Sequence, residues 1–275
     1  FELLLDAAAT PLAGAALDAA EAEVHRLEAL LSRFRPDSQL AQLNRLGALD
    51  AGPELSEVVR RALAERERSG GRFDITVHDA VVAAGYDRSF ELLAEGALAA
   101  APGSAAAGGA VRVSPEGCIT LGEGVRIDLG GIGKGYAAER AAGLLATAGP
   151  CLVDAGGDIA VRGAAWPVGV DTPQGQLTLL VEGAAIATSG SDRRRWSAGG
   201  SEAHHLIDPA TGRPAGSDLL RVTAVASDAV QAEARAKALF LAGCIAARAE
   251  ADAQQLPAIL VTRDGRTVLA GGIAA

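Results

Sequence analysis

Cysteine is scarce in this 275-residue sequence: Cys118, Cys151 and Cys244 are the three present, far apart. That number and spacing supply neither a disulfide framework nor a zinc motif, and buried thiols are the expectation. Basic residues are also in deficit, with 25 Lys and Arg against 34 Asp and Glu and a net charge of -9. Nucleic-acid contacts need Lys and Arg clustered against phosphates, so no nucleic-acid partner is expected. The one basic cluster, Arg193 to Arg195, is short; it reads as a solvated loop, with a nucleotide phosphate as its alternative use. No apolar run approaches the roughly 20 residues that span a bilayer, and no basic region followed by an apolar stretch opens the chain. A soluble chain is expected. Methionine is absent and the sequence opens on Phe1, so an initiating segment, with any export signal or lipid anchor on it, is expected outside it.

The length suits one large domain or two intimate ones. Phe1 to Leu5 reads as an opening strand. Leu17, Ala20, Val24, Leu27 and Leu31 then recur at steps of three and four, the period of an amphipathic helix. A second helix is predicted from about Ser56 to Ser69, stopped by Gly70 and Gly71. Ala94 to Ala110, rich in Ala and Gly, has no usable period and reads as a surface excursion. From Cys118 onward short β-rich runs follow at 119–121, 125–127, 152–154, 159–162, 168–170, 177–181 and 186–188, separated by Gly, Pro and Asp turns. A strand at Arg221 to Ala226 leads into a helix to Leu241, whose start is marked by Asp228 with Gln231 three residues on. Another helix and a strand pair, 259–262 and 267–269, close the chain. Strands mixed with helices, without strict alternation, imply an α+β fold.

The run IDLGGIGKGYAAERA, Ile127 to Ala141, carries the most chemistry. It reads as a strand ending on Asp128, a glycine-rich turn, and a helix starting beside Lys134. Backbone N–H groups at such a turn, with a cation beside them, form a place for an anion. It is not a P-loop, because Gly135 follows Lys134 where Ser or Thr is required and Asp128 stands at the first glycine position. Nor is it a dinucleotide fingerprint, because the third glycine position falls on Tyr136. A tight turn with no ligand is the alternative reading.

Seven segments in order resemble the FAD:protein FMN transferase family, also called the ApbE family: SRFRPDSQLAQLN from Ser32, GGRFDITV from Gly70, IDLGGIGKGYAAERA, DAGGDIAVRG from Asp154, ATSGSDRRR from Ala187, HLIDPATGRP from His205 and AEARAKALFLAG from Ala232. The resemblance implies a single domain over residues 1–275, an α+β fold of mixed sheets and packed helices related to the T-fold. It also implies transfer of the FMN half of FAD, through a phosphoester, to a Thr or Ser of an acceptor protein, with release of AMP. FAD is the implied substrate and Mg2+ the implied metal. A binding protein that holds FAD without transfer, or a pyrophosphatase giving FMN and AMP, uses the same residues. Many members are envelope lipoproteins, so both a cytoplasmic and an envelope location stay open, as do the acceptor and the oligomeric state.

The resemblance places residues in roles. Asp74 helps hold the flavin with Phe73 beside it, and Phe34 keeps a stacking face where Tyr is common. Asp128, Gly131 and Lys134 lie in the stretch whose backbone meets the pyrophosphate and metal. His205 is the proton acceptor for the attacking hydroxyl, a task suited to imidazole, while its neighbour His204 reads as polar surface. Asp208 and Thr211 shape a turn. Thr188 and Ser189 offer hydroxyls at a strand end, where a self-bonding turn fits equally well.

The metal region departs from the family. Where many members have Asp and Thr four residues apart, this chain has Glu233 and Lys237, which with Gly131 are the candidate metal positions. A protonated Lys has no lone pair for a metal; as a helix-surface pair at i, i+4, Glu233 and Lys237 contribute about 0.3 to 0.5 kcal/mol. Either Lys237 takes part of the metal's place, or the pair is structural and Mg2+ binds through Glu233 and backbone carbonyls near Gly131. The resemblance, with this departure, implies transfer with altered Mg2+ dependence. Glu139, where Asp is common, is expected only to cap helix contacts.

Overall fold

A computed structural model describes residues 1–8, 10–89, 107–198 and 201–273. In chain order the described elements are β1 (Glu2–Leu5), α1 (Pro11–Leu31), α2 (Gln39–Leu46), β2 (Ala48–Asp50), α3 (Pro53–Arg68), a 3-10 turn (Ile75–Val77), α4 (His78–Ala83), β3 (Val111–Val113), β4 (Cys118–Leu121) and α5 (Gly133–Leu145). There follow β5 (Cys151–Asp154), β6 (Asp158–Arg162), β7 (Ala165–Thr172), β8 (Gly175–Glu182), β9 (Ala185–Gly190), β10 (Arg195–Ala198), β11 (Ser201–His204), β12 (Ile207–Asp208), β13 (Arg213–Pro214), β14 (Leu219–Ala226), α6 (Ala229–Ala242), α7 (Cys244–Gln254), β15 (Ala258–Thr262) and β16 (Thr267–Ala270). The chain forms two compact units, the first of residues 1–28, 132–189 and 218–275, the second of residues 29–131 and 190–217.

The first unit is built on a seven-stranded sheet of order β1-β5-β6-β9-β14-β15-β16. Its helix-covered face is packed largely with alanine: Ala138, Ala141 and Ala142 of α5 and Ala229 and Ala232 of α6 are buried with Ala160, Ala185 and Ala187 of the strands. Methyl side chains let helix backbones come closer than leucines allow, which matters for the site below. On the other side, the β7–β8 hairpin packs Val168, Val170 and Val181 against Leu152, Val161, Ile186 and Ile259. Asp228 caps α6 by accepting the Gln231 N–H at 3.0 Å, and the Gln231 side-chain amide returns to the Asp228 carboxylate at 2.7 Å. The capping pair legible in the sequence therefore forms, with the return bond going to the side chain of the cap residue.

The second unit holds a three-stranded sheet of order β2-β4-β3 and the two small hairpins β10–β11 and β12–β13. Its helix α3 begins at Pro53, three residues before the predicted start, since proline's fixed φ suits the first helical position. The predicted stop is borne out: Gly70 and Gly71 take φ of +61° and +84°, angles that favour glycine, and the Gly71 N–H closes the helix on the Arg66 carbonyl at 2.8 Å.

One predicted strand is corrected. Residues 125–127 form no strand. Ile127 is buried, but its backbone partner is a side chain: Asn44 accepts the Ile127 N–H and donates to the Ile127 carbonyl, both at 2.8 Å. Apolar alternation reports burial, not what supplies the hydrogen bonds. Asn44→Ala leaves both buried backbone groups unpaired, and a loss of about 2 kcal/mol is expected in chemical denaturation; less than about 0.5 kcal/mol would show the pairing to be dispensable. The short elements α2, β2 and β3 had no distinct signal in the sequence. Of the predicted surface excursion at 94–110, residues 94–106 lie outside the described residues. Among the described residues no helix is long and apolar enough to cross a membrane.

Candidate active site

Helix α5 starts without a side-chain cap, its cap position being Ile132, so the amides of its first turn need acceptors from elsewhere. Glu233, fully buried on α6, supplies one: the Gly135 N–H donates to its Oε2 at 2.9 Å. The other oxygen, Oε1, accepts from Lys134 Nζ at 2.8 Å and from Lys237 Nζ at 3.0 Å. Lys134 also pairs with Asp158, buried at the start of β6. Two carboxylates and two ammonium groups are thus gathered at the N-terminus of α5, and their formal charges cancel.

The approach of the two helices depends on Gly135. A Cβ there would stand 2.4 Å from the Ala229 carbonyl oxygen and 3.1 Å from Glu233 Oε2. A reciprocal contact ties the same pair, because Glu139 of α5 accepts the Ala229 N–H at 3.2 Å at the start of α6 while pairing with Arg162. Each helix therefore lends a carboxylate to the other's N-terminus, where the helix dipole favours negative charge. The expected capping role of Glu139 is borne out.

Burial alone would push the Glu233 carboxyl up, but Lys134 and Lys237, with the Gly135 amide, hold it below its ordinary value of 4.5, at about 2. A depressed folded-state pKa stabilises the protein fully above the ordinary value; that contribution is lost as pH falls from about 4.5 towards about 2. The advantage in thermal midpoint of the native protein over Glu233→Gln is expected to shrink across that window. An advantage constant through it would refute the assignment.

In the second unit, Asp128 follows the buried Ile127 and turns the chain. Its Oδ1 accepts the Gly130 N–H, its Oδ2 pairs with Arg33 Nε at 2.8 Å, and both side chains are buried. The Asp128 N–H donates to the Ile75 carbonyl at 2.7 Å, which sets this turn beside the 3-10 turn that Asp74 caps. Asp74, also buried, accepts the Thr76 N–H and hydroxyl at 2.8 Å each and pairs with Arg66 at 3.0 Å. Phe73 is buried beside it in sequence, its N–H donating to Ser69 Oγ.

Arg33 continues into an aromatic stack. Its guanidinium lies 4.2 Å from the Phe34 ring centre and 4.7 Å from that of Tyr86, and it donates to the Tyr86 carbonyl at 2.6 Å. Phe34 and Tyr86 are 5.8 Å apart, Tyr86 and Trp196 5.6 Å. Trp196 is fixed by donating to the Ala84 carbonyl at 2.8 Å, while Phe34 is 40% exposed. One end of the aromatic series is thus anchored and the other is partly exposed.

His204 is not surface. It is buried, accepts the Leu206 N–H at Nδ1 and reaches the Ala215 carbonyl through Nε2 at 3.1 Å; with Nδ1 accepting, Nε2 carries the hydrogen. The expectation is corrected: two backbone partners hold this ring inside. His205, next along the chain, is half-buried with Nδ1 3.5 Å from the Arg194 carbonyl. The expected turn follows, Asp208 accepting the Ala210 N–H at 2.9 Å and the Thr211 hydroxyl at 3.1 Å.

The ApbE family model matches residues 3–260. The chain belongs to the ApbE family. Among its relatives are the FAD:protein FMN transferases of Treponema pallidum (strain Nichols), 31% identical over 83% of this chain and 72% of that protein, and of Escherichia coli (strain K12), 27% identical over 86% and 73%. The ApbE protein of Thermotoga maritima has the same fold, with a TM-score of 0.82 at 25% identity over 98% of this chain and 92% of that one. The flavinyl transferase ApbE of Pseudomonas stutzeri gives 0.82 at 21% over 98% and 90%. The α+β expectation, mixed sheets with packed helices, is borne out.

Within this ApbE-family chain the expected residues fall into separate settings. Lys134, Glu233 and Lys237 come together in the first unit. Thr188 and Ser189 lie in β9 of that unit, where the Thr188 hydroxyl meets that of Thr223 at 2.8 Å across to β14; a strand-to-strand contact replaces the self-bonding turn. Asp74, Asp128, Phe34, Phe73 and His205 belong to the second unit, which ends its central segment at Gly131. The sequence pattern does not mark Asp158, Arg33, Tyr86 or Trp196. Asp158 and Arg33 lie inside matched segments, but their partners are distant in sequence; Tyr86 and Trp196 had no periodic or motif signal.

The donor set at Glu233 does not fit Mg2+. That ion takes oxygen ligands in near-octahedral order at 2.0–2.1 Å, whereas Glu233 Oε1 already faces two ammonium groups and Oε2 an amide. Among the described residues no group of three His, Cys, Asp or Glu side chains is placed to hold a metal. Of the thiols, only Cys151 is buried, with its pKa pushed up to about 11 by that burial; Cys118 and Cys244 are half-buried, which corrects the expectation for those two.

Proposed function

We propose that this chain binds FAD and transfers its FMN half to a Thr or Ser hydroxyl of an acceptor protein, releasing AMP. The observation that carries this reading is the Phe34–Tyr86–Trp196 cluster with the Arg33 guanidinium: in a chain of nine aromatic residues, 2 Trp, 2 Tyr and 5 Phe, three lie in series, tilted to one another by 57° and 39°, with Phe34 partly exposed at one end, an aromatic edge suited to a flavin or adenine ring. Family membership supports it, since relatives matching 83–86% of the chain are FAD:protein FMN transferases.

In the proposed reaction the acceptor oxygen attacks the flavin-side phosphorus. The bond from that phosphorus to the oxygen bridging to AMP breaks, the new phosphoester forms, and AMP leaves with the bridging oxygen. His205 takes the hydroxyl proton. Asp74, Asp128, Gly131, Thr188 and Ser189 are proposed to orient the nucleotide, and Lys134 to offset diphosphate charge. No step is assigned to a metal.

The test is incubation with FAD and a Thr-containing acceptor peptide, following AMP and peptide mass. AMP together with a peptide heavier by FMN is expected, and His205→Ala should slow AMP release on the order of 100-fold while FAD still binds. AMP with unmodified peptide would identify a hydrolase, and FAD binding without AMP a carrier.

A further inference from the structure

We infer that Lys237 stands in place of a divalent cation, so that nucleotide binding by this chain needs no Mg2+. For its nucleotide this rests on the FAD reading above; the exclusion of metal rests on the cluster alone.

Glu233 and Asp158 carry two negative charges in a buried setting, and one divalent ion would balance them. Lys134 and Lys237 supply the same two positive charges from the protein. An ion seated on Glu233 would also lie beside an ammonium 3.0 Å from the shared oxygen, and like charges that close in a buried site repel strongly. Glu233 cannot turn away to make room, because its second oxygen is held by the Gly135 amide and its helix is held by backbone contact at Ala229.

Lys237 also has capacity to spare. An ammonium has three donors, yet among the described residues the one partner of Lys237 is Glu233 Oε1, while its side chain is only 13% exposed. The remaining donors suit a phosphate oxygen. A cation tethered to α6 acts as a fixed counter-charge that does not depart with the product.

Two measurements on the full chain decide this. In the first, Mn2+ alone is added to the protein and followed by electron paramagnetic resonance. The free-ion signal should be undiminished with the native protein and should fall with the double variant Glu233→Asp, Lys237→Thr; loss of signal with the native protein overturns the inference. In the second, FAD is titrated calorimetrically in EDTA and in Mg2+. Dissociation constants within about twofold of each other are expected, with Lys237→Met weaker on the order of tenfold and Lys237→Arg close to native. A tenfold gain from Mg2+, or Lys237→Met binding as tightly as native, overturns it. If FAD binds in neither buffer, the FAD reading fails while the Mn2+ result still decides the metal question. Should Lys237→Met not fold, the native protein in the two buffers and Lys237→Arg carry the test.

Discussion

Glu233→Gln should lower the stability of this protein by about 3–5 kcal/mol, a drop of roughly 10 °C in thermal midpoint. The substitution keeps shape and removes charge. Lys134 retains Asp158, but Lys237, largely buried, loses the one carboxylate it touches among the described residues. The penalty is that of an uncompensated buried charge, which exceeds the net worth of the pair it belonged to. Removing both partners should therefore recover most of the loss: Glu233→Gln with Lys237→Met is expected to stand well above Glu233→Gln alone. The two midpoints, read by circular dichroism at neutral pH, check this. Equal midpoints would mean that Lys237 finds another partner and that Glu233 acts mainly through Gly135.

Gly135→Ala should be comparably damaging, about 3–5 kcal/mol, for a reason unrelated to charge. The added carbon would sit 2.4 Å from the Ala229 carbonyl oxygen and 2.8 Å from its carbon, and backbone at a helix start cannot swing aside as a side chain can. Overpacking typically destabilises by about 1–3 kcal/mol. Here the helices must also separate, which lengthens the bonds of the Gly135 amide to Glu233 and of the Ala229 amide to Glu139; a hydrogen bond to a charged group contributes about 1.5–3 kcal/mol. Gly143, on the same helix with nothing within 4 Å of its Cβ position, is the control: Gly143→Ala should be neutral or stabilising by up to about 1 kcal/mol. A Gly135→Ala midpoint within 2–3 °C of native, roughly 1 kcal/mol, would show that α5 can shift freely on α6.

Much of the fold was legible along the chain, because the signals were local. The three- and four-step spacing through Leu31, the Asp228–Gln231 pair and the Gly70–Gly71 stop each reflect energies settled within a turn or two of backbone. Residues 125–127 show the limit: their apolar pattern states that they are buried, yet a single Asn side chain more than 80 residues upstream replaces the expected strand partner. Likewise His204 carries no mark distinguishing a ring inside from one outside, since backbone groups at Leu206 and Ala215 help hold it.

Sequence alone determined the ApbE resemblance, the α+β class, the glycine turn before Lys134 and the exchange of two metal-binding residue types for Glu233 and Lys237. Only the tertiary structure decided what that exchange means. Placing Glu233 within reach of a lysine 99 positions away in the chain, burying that carboxylate fully, and pressing two helices together at a residue without a side chain are outcomes of packing: electrostatic energies depend on separation and surroundings, and neither is written in the order of residues.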